Sequence, residues 1–286
     1  MSELAIIIPH YNDLDRLERC LEHLMPQIGA HIELIVVDNA STVDLSSFKS
    51  DWPDLRLVSE SKKGAAEARN RGVAETSAPN LLFIDADCVP AEDWVATAMA
   101  LIGRTDLIGG EVAVFDETPA PRSGSEAFET VFAFNFKRYI EEENFSGSGN
   151  LLTRRDVFEK TGPFHTGVSE DMDWCHRAIA AGFKLEYEET LRVSHPSRQD
   201  WDALQRKWKR VTEEQFGVNG NSPRARVKWA VRALMMPPSI LVHIPRILRH
   251  PRLAGFGERI SAVGTLFRLR LQRMFWMLRQ AISGVA

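Results

Sequence analysis

Four short apolar runs in the first hundred residues predict buried β-strands, at 5–8, 34–37, 55–58 and 81–84. Leucines at helical spacing follow the first run, and a segment typical of a helix, 65–74, lies before the fourth. Strands that alternate with helices are typical of an α/β fold with a mostly parallel sheet. We therefore expect such a sheet, flanked by helices, over residues 1–102.

The pattern is less regular in the middle of the chain. It predicts one long strand over 107–115, helices over 126–143 and 154–161, and a strand over 183–193. Another helix is expected to begin at Ser169-Glu170-Asp171, because serine is a favoured N-cap and the helix dipole favours acidic residues in the first turn.

Two apolar patterns mark the C-terminal part. The run 233–245 has only thirteen residues and contains three prolines. It is therefore not expected to cross a membrane, which takes about 20 apolar residues. A final helix carries apolar residues every three or four positions, in a stripe formed by Ile260, Val263, Phe267, Leu271, Met274, Leu278 and Ile282.

Basic residues accompany this stripe. Trp276 lies beside it, and five arginines lie off it, at Arg259, Arg268, Arg270, Arg273 and Arg279. That pattern is typical of a basic amphipathic helix that rests on an anionic membrane surface. The alternative is a helix that packs on the rest of the chain or on a second copy in a homodimer, with its arginines in solvent.

The net charge of −4 is unevenly distributed. Residues 224–286 hold twelve Arg and Lys and a single acidic residue, Glu258, for a net charge of +11, whereas the rest of the chain carries −15. Such a tail favours an anionic partner. We expect a membrane and no nucleic acid, because the aromatic residues lie on or beside the apolar stripe and do not alternate with the basic groups.

Composition adds two expectations. With 286 residues, 44% of them hydrophobic, the chain has the make-up of a globular protein with one large domain and an appendage, or two small domains. The three cysteines, Cys20, Cys88 and Cys175, form no pair and no metal-ligand spacing, which favours a reducing compartment. Because Met1-Ser2-Glu3 leads directly into an apolar strand, no signal peptide is expected and the location is predicted to be cytoplasmic.

Two carboxylates, Asp85 and Asp87, follow the apolar run 81–84. In an open α/β sheet, ligands bind at the carboxyl ends of the strands, where these two residues fall. Carboxylate oxygens there suit Mg²⁺ or Mn²⁺, which binds one or two carboxylates together with substrate phosphates. The alternative is a simple turn in which Asp87 caps the helix near Glu92.

Several motifs, in one order along the chain, resemble glycosyltransferase family 2. They cover about residues 4–200 and comprise Ile6-Ile7-Ile8-Pro9-His10-Tyr11-Asn12, Val36-Val37-Asp38-Asn39-Ala40-Ser41, the segment from Lys63 to Gly72, Asp85-Ala86-Asp87, Gly147-Ser148-Gly149-Asn150 with Arg154-Arg155, and Glu170-Asp171-Met172-Asp173-Trp174. The resemblance implies a GT-A fold, which is Rossmann-like, with a catalytic domain over 1–215. We assign 216–286 to a helical, membrane-associating region.

The resemblance also implies an activity. A sugar would pass from a nucleotide diphosphate-sugar to a hydroxyl acceptor, with inversion at the anomeric carbon and with Mn²⁺ or Mg²⁺ bound. Asp87 is expected to bind the metal directly, and Asp85 to reach the ribose or the metal through water. Asp171 would be the general base and Glu170 would orient it; the alternative is that both are ordinary acids at a helix N-terminus.

The nucleotide site is carried over in the same way, to Pro9, Tyr11, Asp38, Gly64 and Arg69. Asn39 stands where the family commonly has a second Asp, and it leaves the base open because an amide both donates and accepts. Some relatives place a histidine at the position of His195 on the metal or the diphosphate. Both Tyr11 and Arg69 have a purely structural alternative. Tyr11 would only close the crevice between strand and helix, and Arg69 would only pair with a neighbouring acid.

The resulting hypothesis is a single-sugar transferase, peripheral on the inner face of the membrane. A UDP-sugar is the expected donor, and the acceptor is expected to be a glycan, lipid-linked or at the cell surface. The alternatives are a nucleotidyltransferase, for which Pro9-His10-Tyr11-Asn12 lacks a Gly-rich phosphate loop, and a catalytically silent nucleotide-sugar-binding scaffold at the membrane.

Overall fold

In the computed structural model, which describes residues 2–53 and 55–285, eight strands form one sheet in the order β3-β2-β1-β4-β7-β6-β8-β5. The strands are β1 (Leu4–His10), β2 (Ile32–Asp38), β3 (Arg56–Ser59), β4 (Asn80–Ile84), β5 (Val89–Pro90), β6 (Leu107–Phe115), β7 (Asn150–Arg154) and β8 (Leu185–Pro196). The predicted strands are all present, although β3 begins one residue later and β8 two residues later than expected.

The first four strands form the parallel half of the sheet. β1 lies between β2 and β4, with Ile7 opposite Ile35 on one side and Phe83 on the other. Antiparallel pairing of β7 with β4 and with β6 extends the sheet. The α/β class with a GT-A fold is confirmed by the comparisons reported below.

Helices flank these strands. They are α1 (Leu14–Leu24), α2 (Ser46–Asp51), α3 (Ala65–Ala74), α4 (Trp94–Leu101), α6 (Phe136–Glu143), α7 (Arg155–Thr161) and α8 (Glu170–Ala180), after which the chain continues into β8. All five residues of β4 are buried, as their continuous apolar run predicts for a strand covered on both faces. Phe83 packs edge-to-face on Phe164, whose ring lies against Trp174, and this aromatic cluster anchors α8 to the sheet.

The helix expected over 126–143 is two helices, a correction with a local cause. α5 (Gly124–Phe132) begins with a capping box in which Ser123 and Glu126 exchange hydrogen bonds. Asn135 then caps α6, because its side chain accepts from the Arg138 amide and starts a new helix. The expected cap Ser169 does precede α8, although its side chain makes no capping hydrogen bond.

The chain divides into two compact units. The first comprises Met1–Ala113 and Asn135–His195, and the second comprises Val114–Phe134 and Pro196–Ala286. The boundary expected at residue 215 falls inside α9 (Trp201–Asn219). The division into a catalytic domain and a membrane-associating region is one of function, and it stays a prediction.

The second unit is helical, with α5 and α9 joined by α10 (Pro223–Leu234), α11 (Met236–Leu248) and α12 (Gly255–Ser283). The prolines of the run 233–245 do not prevent a helix: Pro237 and Pro238 lie in the first turn of α11, where no amide donor is needed, and Pro245 lies within it. Among the described residues, no helix combines the length and the apolar character needed to cross a membrane.

The long helix α12 has two apolar faces. One packs into the second unit and contains Ala262, Leu266, Leu269 and Met277. Exposed apolar side chains lie on roughly the opposite side of the helix, at Phe256, Ile260, Phe267, Leu271, Phe275 and Ile282. We call this set the exposed stripe; it runs for about 40 Å at 1.5 Å per residue.

Candidate active site

The carboxyl ends of neighbouring parallel strands place three polar residues at one edge of the sheet. His10 ends β1 and lies opposite Asp38, which ends β2. Asp85 directly follows β4, the strand on the other side of β1. Asp38 and Asp85, both predicted site residues, therefore share one edge with His10, as expected for a parallel sheet.

His10 holds Asp38 in place. Its ring is buried, and its Nε2 accepts a hydrogen bond from the Asp13 amide at 3.1 Å. The proton must then be on Nδ1, which faces Asp38 Oδ1 at 3.4 Å and can donate to it. No role was predicted for His10, yet its ring is the group that orients the predicted nucleotide-site carboxylate.

Asn39 is engaged within the protein. Its side chain donates to the carbonyls of Glu60 and Lys62, at 3.3 and 2.6 Å, and accepts from the amide of Gly64 at 2.7 Å. Gly64 has a φ of 133°, a value that favours glycine, and it directly precedes α3. These contacts use both amide hydrogens of Asn39 to shape the loop that leads to α3, and its expected role in reading a base stays a prediction.

Two further predicted nucleotide-site residues lie at the end of β1. Pro9 is half-buried, whereas the ring of Tyr11 is 50% exposed. The ammonium group of Lys63 lies 5.6 Å from the centre of the Tyr11 ring. An exposed aromatic face with a cation nearby suits an anionic ligand that carries a flat base.

Arg69 joins two parts of the predicted site that are far apart in sequence. Its Nη2 donates to Asp85 Oδ1 at 2.6 Å and its Nη1 to Glu170 Oε1 at 2.5 Å, while the residue is only 4% exposed. Burial alone would lower the pKa of Arg69, but the nearby carboxylates of Asp85, Asp171 and Glu170 raise it above its usual value. Arg69 is thus a permanent cation at the centre of an acidic cluster.

The carboxylates in this cluster are desolvated. Burial raises the pKa of Asp85 above its usual range and Arg69 opposes the rise, although 35% of the Asp85 side chain is accessible from the cleft. Burial also raises the pKa of Glu170, again opposed by Arg69. Asp171 Oδ1 is buried and accepts no hydrogen bond from the described residues. An oxygen in that state has an unused capacity to accept a hydrogen bond.

The loop before β7 closes on these carboxylates. A Cβ at Gly149 would lie 2.7 Å from Asp85 Oδ2, and one at Gly147 would lie 3.7 Å from Asp171 Oδ2. The loop is fixed by Asn150, whose fully buried amide accepts from Trp94 Nε1 at 3.0 Å and donates to the Leu191 carbonyl at 2.7 Å. The approach to Asp85 therefore requires glycine at position 149.

Asp87 meets His195 across a two-residue strand. β5 pairs antiparallel with β8, with Val89 opposite Ser194. Asp87 precedes β5 by two residues and His195 follows Ser194 on β8, so the pairing brings them into contact. His195 Nε2 lies 3.1 Å from Asp87 Oδ2. Two groups that were predicted as metal ligands from distant parts of the sequence are thus adjacent.

The comparisons with known proteins identify the family. The family model "Glycosyl transferase family 2" matches residues 5–162, more than half of the chain. The chain belongs to glycosyl transferase family 2. The enzyme class follows from this membership: the chain is a glycosyltransferase. The finding favours the predicted transferase over the two alternatives, a nucleotidyltransferase and a catalytically silent scaffold.

A curated relative and two solved structures extend the likeness. Glycosyltransferase AglE of Haloferax volcanii is 31% identical over 228 residues, covering 75% of this chain and 73% of that protein. The mannosyltransferase PcManGT from Pyrobaculum calidifontis, solved with GDP-Man and Mn²⁺, aligns over 98% of this chain and 73% of its own, with a TM-score of 0.56 and 18% identity. S. aureus TarS, solved with UDP-GlcNAc, aligns over 100% and 93% of the two chains, with a TM-score of 0.55 and 13% identity. These structures establish the GT-A fold of the glycosyltransferase.

The donor set of this glycosyltransferase fits a divalent cation that is shared with a substrate. Among the described residues, no group of three or more His, Cys, Asp or Glu side chains is arranged to hold a metal by itself. Asp87, His195 and Asp85 still offer carboxylate and imidazole donors, which Mn²⁺ accepts. Mg²⁺ and Mn²⁺ commonly bind one or two carboxylates and complete their coordination with substrate phosphates and water. The residues therefore fit a metal that binds together with its substrate.

Two arginines of the acceptor-side motif lie in structural contacts. Arg154 pairs with Asp106 and Asp156, both at 2.8 Å. Arg155 donates to backbone carbonyls, including that of Ala78 at 2.8 Å. The Asn of the family's helix motif, Asn70, exchanges two 2.9 Å hydrogen bonds with the backbone of Phe164. These residues support the fold around the site.

Proposed function

We propose that this glycosyltransferase moves a sugar from a nucleotide diphosphate-sugar to a hydroxyl group, with inversion at the anomeric carbon. The observation that carries the proposal is the cluster in which Arg69 bridges Asp85 and Glu170 beside the unpartnered oxygen of Asp171. A hydroxyl that enters this cleft would meet a carboxylate able to accept its proton, and such a step contributes about 10²–10⁴-fold to the rate.

Asp171 is the proposed general base. Its free oxygen suits a hydroxyl donor, and Glu170, its neighbour on α8, is fixed by Arg69 at 2.5 Å. We assign Glu170 to positioning, because one of its oxygens is already engaged. A single base on the acceptor side is what an inverting displacement requires, since the hydroxyl attacks from the face opposite the leaving group.

The nucleotide end of the donor is assigned to the edge formed by Pro9, Tyr11, Asp38, Asn39 and Gly64. Asp38 offers a fixed acceptor and Tyr11 an exposed ring against which a base can stack. The two structural neighbours carry GDP-Man and UDP-GlcNAc. A UDP-sugar is the donor we propose to test first, and GDP is its direct competitor in the test.

Asp87 is the proposed metal ligand, together with His195 and with Asp85 directly or through water. Mn²⁺ or Mg²⁺ bound there would neutralise the charge that develops on the leaving diphosphate. Arg69 holds Asp85 in place for this task, since its Nη2 donates to Asp85 Oδ1. Holding the acid in one position avoids reorganisation during the reaction.

Attachment to an anionic membrane is the second part of the proposal. The exposed stripe of α12 is flanked by Arg268 and Arg279 on one side and by Arg259 and Arg270 on the other. Apolar residues between rows of cations are typical of a helix that rests in a membrane interface. We therefore propose a peripheral enzyme on the inner face of the membrane, with region 216–286 as its attachment and a lipid-linked or cell-surface glycan as its acceptor.

A thermal-shift screen tests the catalytic part of the proposal. UDP, GDP, CDP and dTDP are added to the protein with and without Mn²⁺, alongside the Asp87→Asn variant. We expect one nucleotide to raise the melting temperature only when the metal is present, and the variant to lose that rise. The anomeric configuration of the product, read by NMR with the matching donor, tests inversion. No response to any nucleotide with metal would refute the proposed site.

A further inference from the structure

Arg273, one of the five arginines predicted to lie off the apolar stripe of the final helix, is a buried cation in the second unit. It is only 5% exposed. Its guanidinium carbon lies 4.4 Å from the centre of the Trp208 ring, and its Nη2 donates to the neutral Gln215 amide at 3.3 Å. Its Nε is buried and has no hydrogen-bond partner among the described residues, and the same holds for Trp208 Nε1.

Two more arginines lie near Arg273. Arg270 precedes it by less than one turn of α12, and its Nη1 lies 3.4 Å from the Met236 sulfur. Arg232, on α10, lies over the Trp229 ring at 5.4 Å. Burial, with the repulsion of Arg270 and Arg232, lowers the pKa of Arg273 to about 9. Arg270 and Arg273 are three residues apart and so lie on one side of α12, and Met236, which Arg270 contacts, is only four residues after Arg232.

Within the described part of the chain, no carboxylate compensates this cluster. Of the described residues, no Asp or Glu forms an ion pair with Arg232, Arg270 or Arg273, although other arginines of the second unit have such partners: Arg122, for example, binds both Asp116 and Glu258. Burying a charge without a counter-charge is costly, and three like charges together increase the cost. An anion from outside the chain would remove this cost and would meet donors already in place.

The surroundings of the cluster are apolar and exposed. Met235, three residues after Arg232, is 58% exposed, and Arg270 flanks the exposed stripe next to Leu271. A soluble anion would gain nothing from these side chains, whereas a lipid has a headgroup for the cations and acyl chains for the apolar groups. The combination favours a membrane lipid as the source of the anion.

We propose that Arg232, Arg270 and Arg273 form a binding site for the phosphate group of an anionic membrane lipid, with Trp208 Nε1 as a further donor. The inference rests on the proposed membrane attachment and makes it specific. The exposed stripe contacts the acyl region, and this arginine cluster holds one headgroup phosphate. The site lies wholly within the second unit.

Vesicle binding by the full-length protein tests the proposal. The probes are vesicles of phosphatidylcholine alone and of phosphatidylcholine with phosphatidic acid, and inorganic phosphate serves as a soluble competitor. The test variants are Arg232→Gln/Arg270→Gln, which leaves the buried position intact, and Arg273→Met, which keeps the length of the side chain. The control is Arg224→Gln/Arg249→Gln, which removes two exposed charges from the same region.

We expect the double test variant to lose about tenfold or more in affinity for the anionic vesicles relative to the control, as removal of hydrogen bonds to a charged group predicts. Arg273→Met should lose a similar amount while staying folded. Equal losses of vesicle affinity in the test and control variants would overturn the proposal, because the membrane would then attract the positive charge of the whole region and not this cluster. If inorganic phosphate fully displaced the protein from the vesicles, the occupant of the site would not be a lipid.

The test separates this inference from the proposed function. If the unmodified protein does not bind anionic vesicles, the membrane attachment fails and the lipid site fails with it. If the unmodified protein binds anionic vesicles and the test variants lose no more affinity than the control variant, membrane attachment stands and the specific lipid site is wrong. The nucleotide and metal response of the first unit is measured separately and does not depend on either result.

Discussion

Two arginines of nearly equal burial occupy opposite electrostatic surroundings. Arg69 is 4% exposed and lies between Asp85 and Glu170, whereas Arg273 is 5% exposed and faces Arg232 and Arg270. The pKa of Arg69 is raised by its carboxylates, and that of Arg273 is lowered to about 9 by burial and by its basic neighbours. The protein satisfies the first charge internally and leaves the second without a counter-charge.

The difference indicates two kinds of site. A charge that is neutralised within the chain can hold reacting groups in fixed positions before a substrate arrives, which is what transition-state stabilisation needs. A charge without a partner reduces the stability of the free protein and is compensated when an anion binds. We therefore propose that the acidic cluster of the first unit is preorganised for chemistry and that the arginine cluster of the second serves attachment.

The largest expected effect tests whether the acids around Arg69 are catalytic. Asp171→Asn should lower kcat by about 10²–10⁴-fold with little change in stability, because it removes the proposed base and keeps the shape of the side chain. Steady-state kinetics with the donor identified by the screen would measure this. Asp173→Asn on the same helix is the control; Asp173 pairs with Arg177 and His165, and its change should leave kcat nearly intact. Equal activity of the two variants would remove Asp171 from the mechanism.

A smaller effect is expected where the loop closes on Asp85. Gly149→Ala would bring a Cβ to 2.7 Å from Asp85 Oδ2 and displace that carboxylate from Arg69. A displacement of about 1 Å in a catalytic group can cost up to about 10²-fold in rate. Gly29→Ala is the matched control, since no atom lies within 4 Å of its added Cβ. Wild-type kcat/KM in Gly149→Ala would show that the close approach has no functional role.

The smallest of these effects concerns the attachment surface. Phe267→Ser with Phe275→Ser should weaken binding to anionic vesicles by about tenfold, because two exposed rings would no longer enter the membrane. Catalysis with a soluble acceptor should not change. Val218→Ser, which removes an exposed apolar side chain outside α12, is the control. If the unmodified protein dimerises in solution and the double variant does not, the exposed stripe would instead be the contact surface with a second copy.

Sequence patterns predicted the first unit better than the second, for a physical reason. Continuous apolar runs mark strands buried on both faces, so Asp85 and Asp87 could be placed at the carboxyl end of a strand in advance, and the parallel pairing of β2, β1 and β4 brings Asp38 to the same edge as Asp85. The contact between Arg69 and Glu170, 101 residues apart, depends on how α8 docks against the sheet. Local pattern carries no information on such packing.

The tail shows the limit of periodicity more clearly. The spacing of apolar residues identified the side of α12 that carries the exposed stripe, but the helix also buries a second face that includes Arg273 and Gln280. Hydrophobic periodicity assigns an arginine to solvent, and only the aromatic platform of Trp208 and the amide of Gln215 explain its burial. In the same way, nothing in the motif around Asn39 indicated that its amide would be used by the loop at residues 60–64.

The most direct test of the comparison is the free energy of unfolding of Arg69→Met and Arg273→Met, measured in urea without ligand or lipid. We expect Arg69→Met to lose about 3 kcal/mol, the lower end of the range for breaking a buried pair, because Asp85 and Glu170 keep partial access to solvent. Arg273→Met should lie within about 1 kcal/mol of the unmodified protein or be more stable, since it removes a charge that has no ion-pair partner among the described residues. Equal destabilisation of both variants would show that the two arginines do not differ in this way.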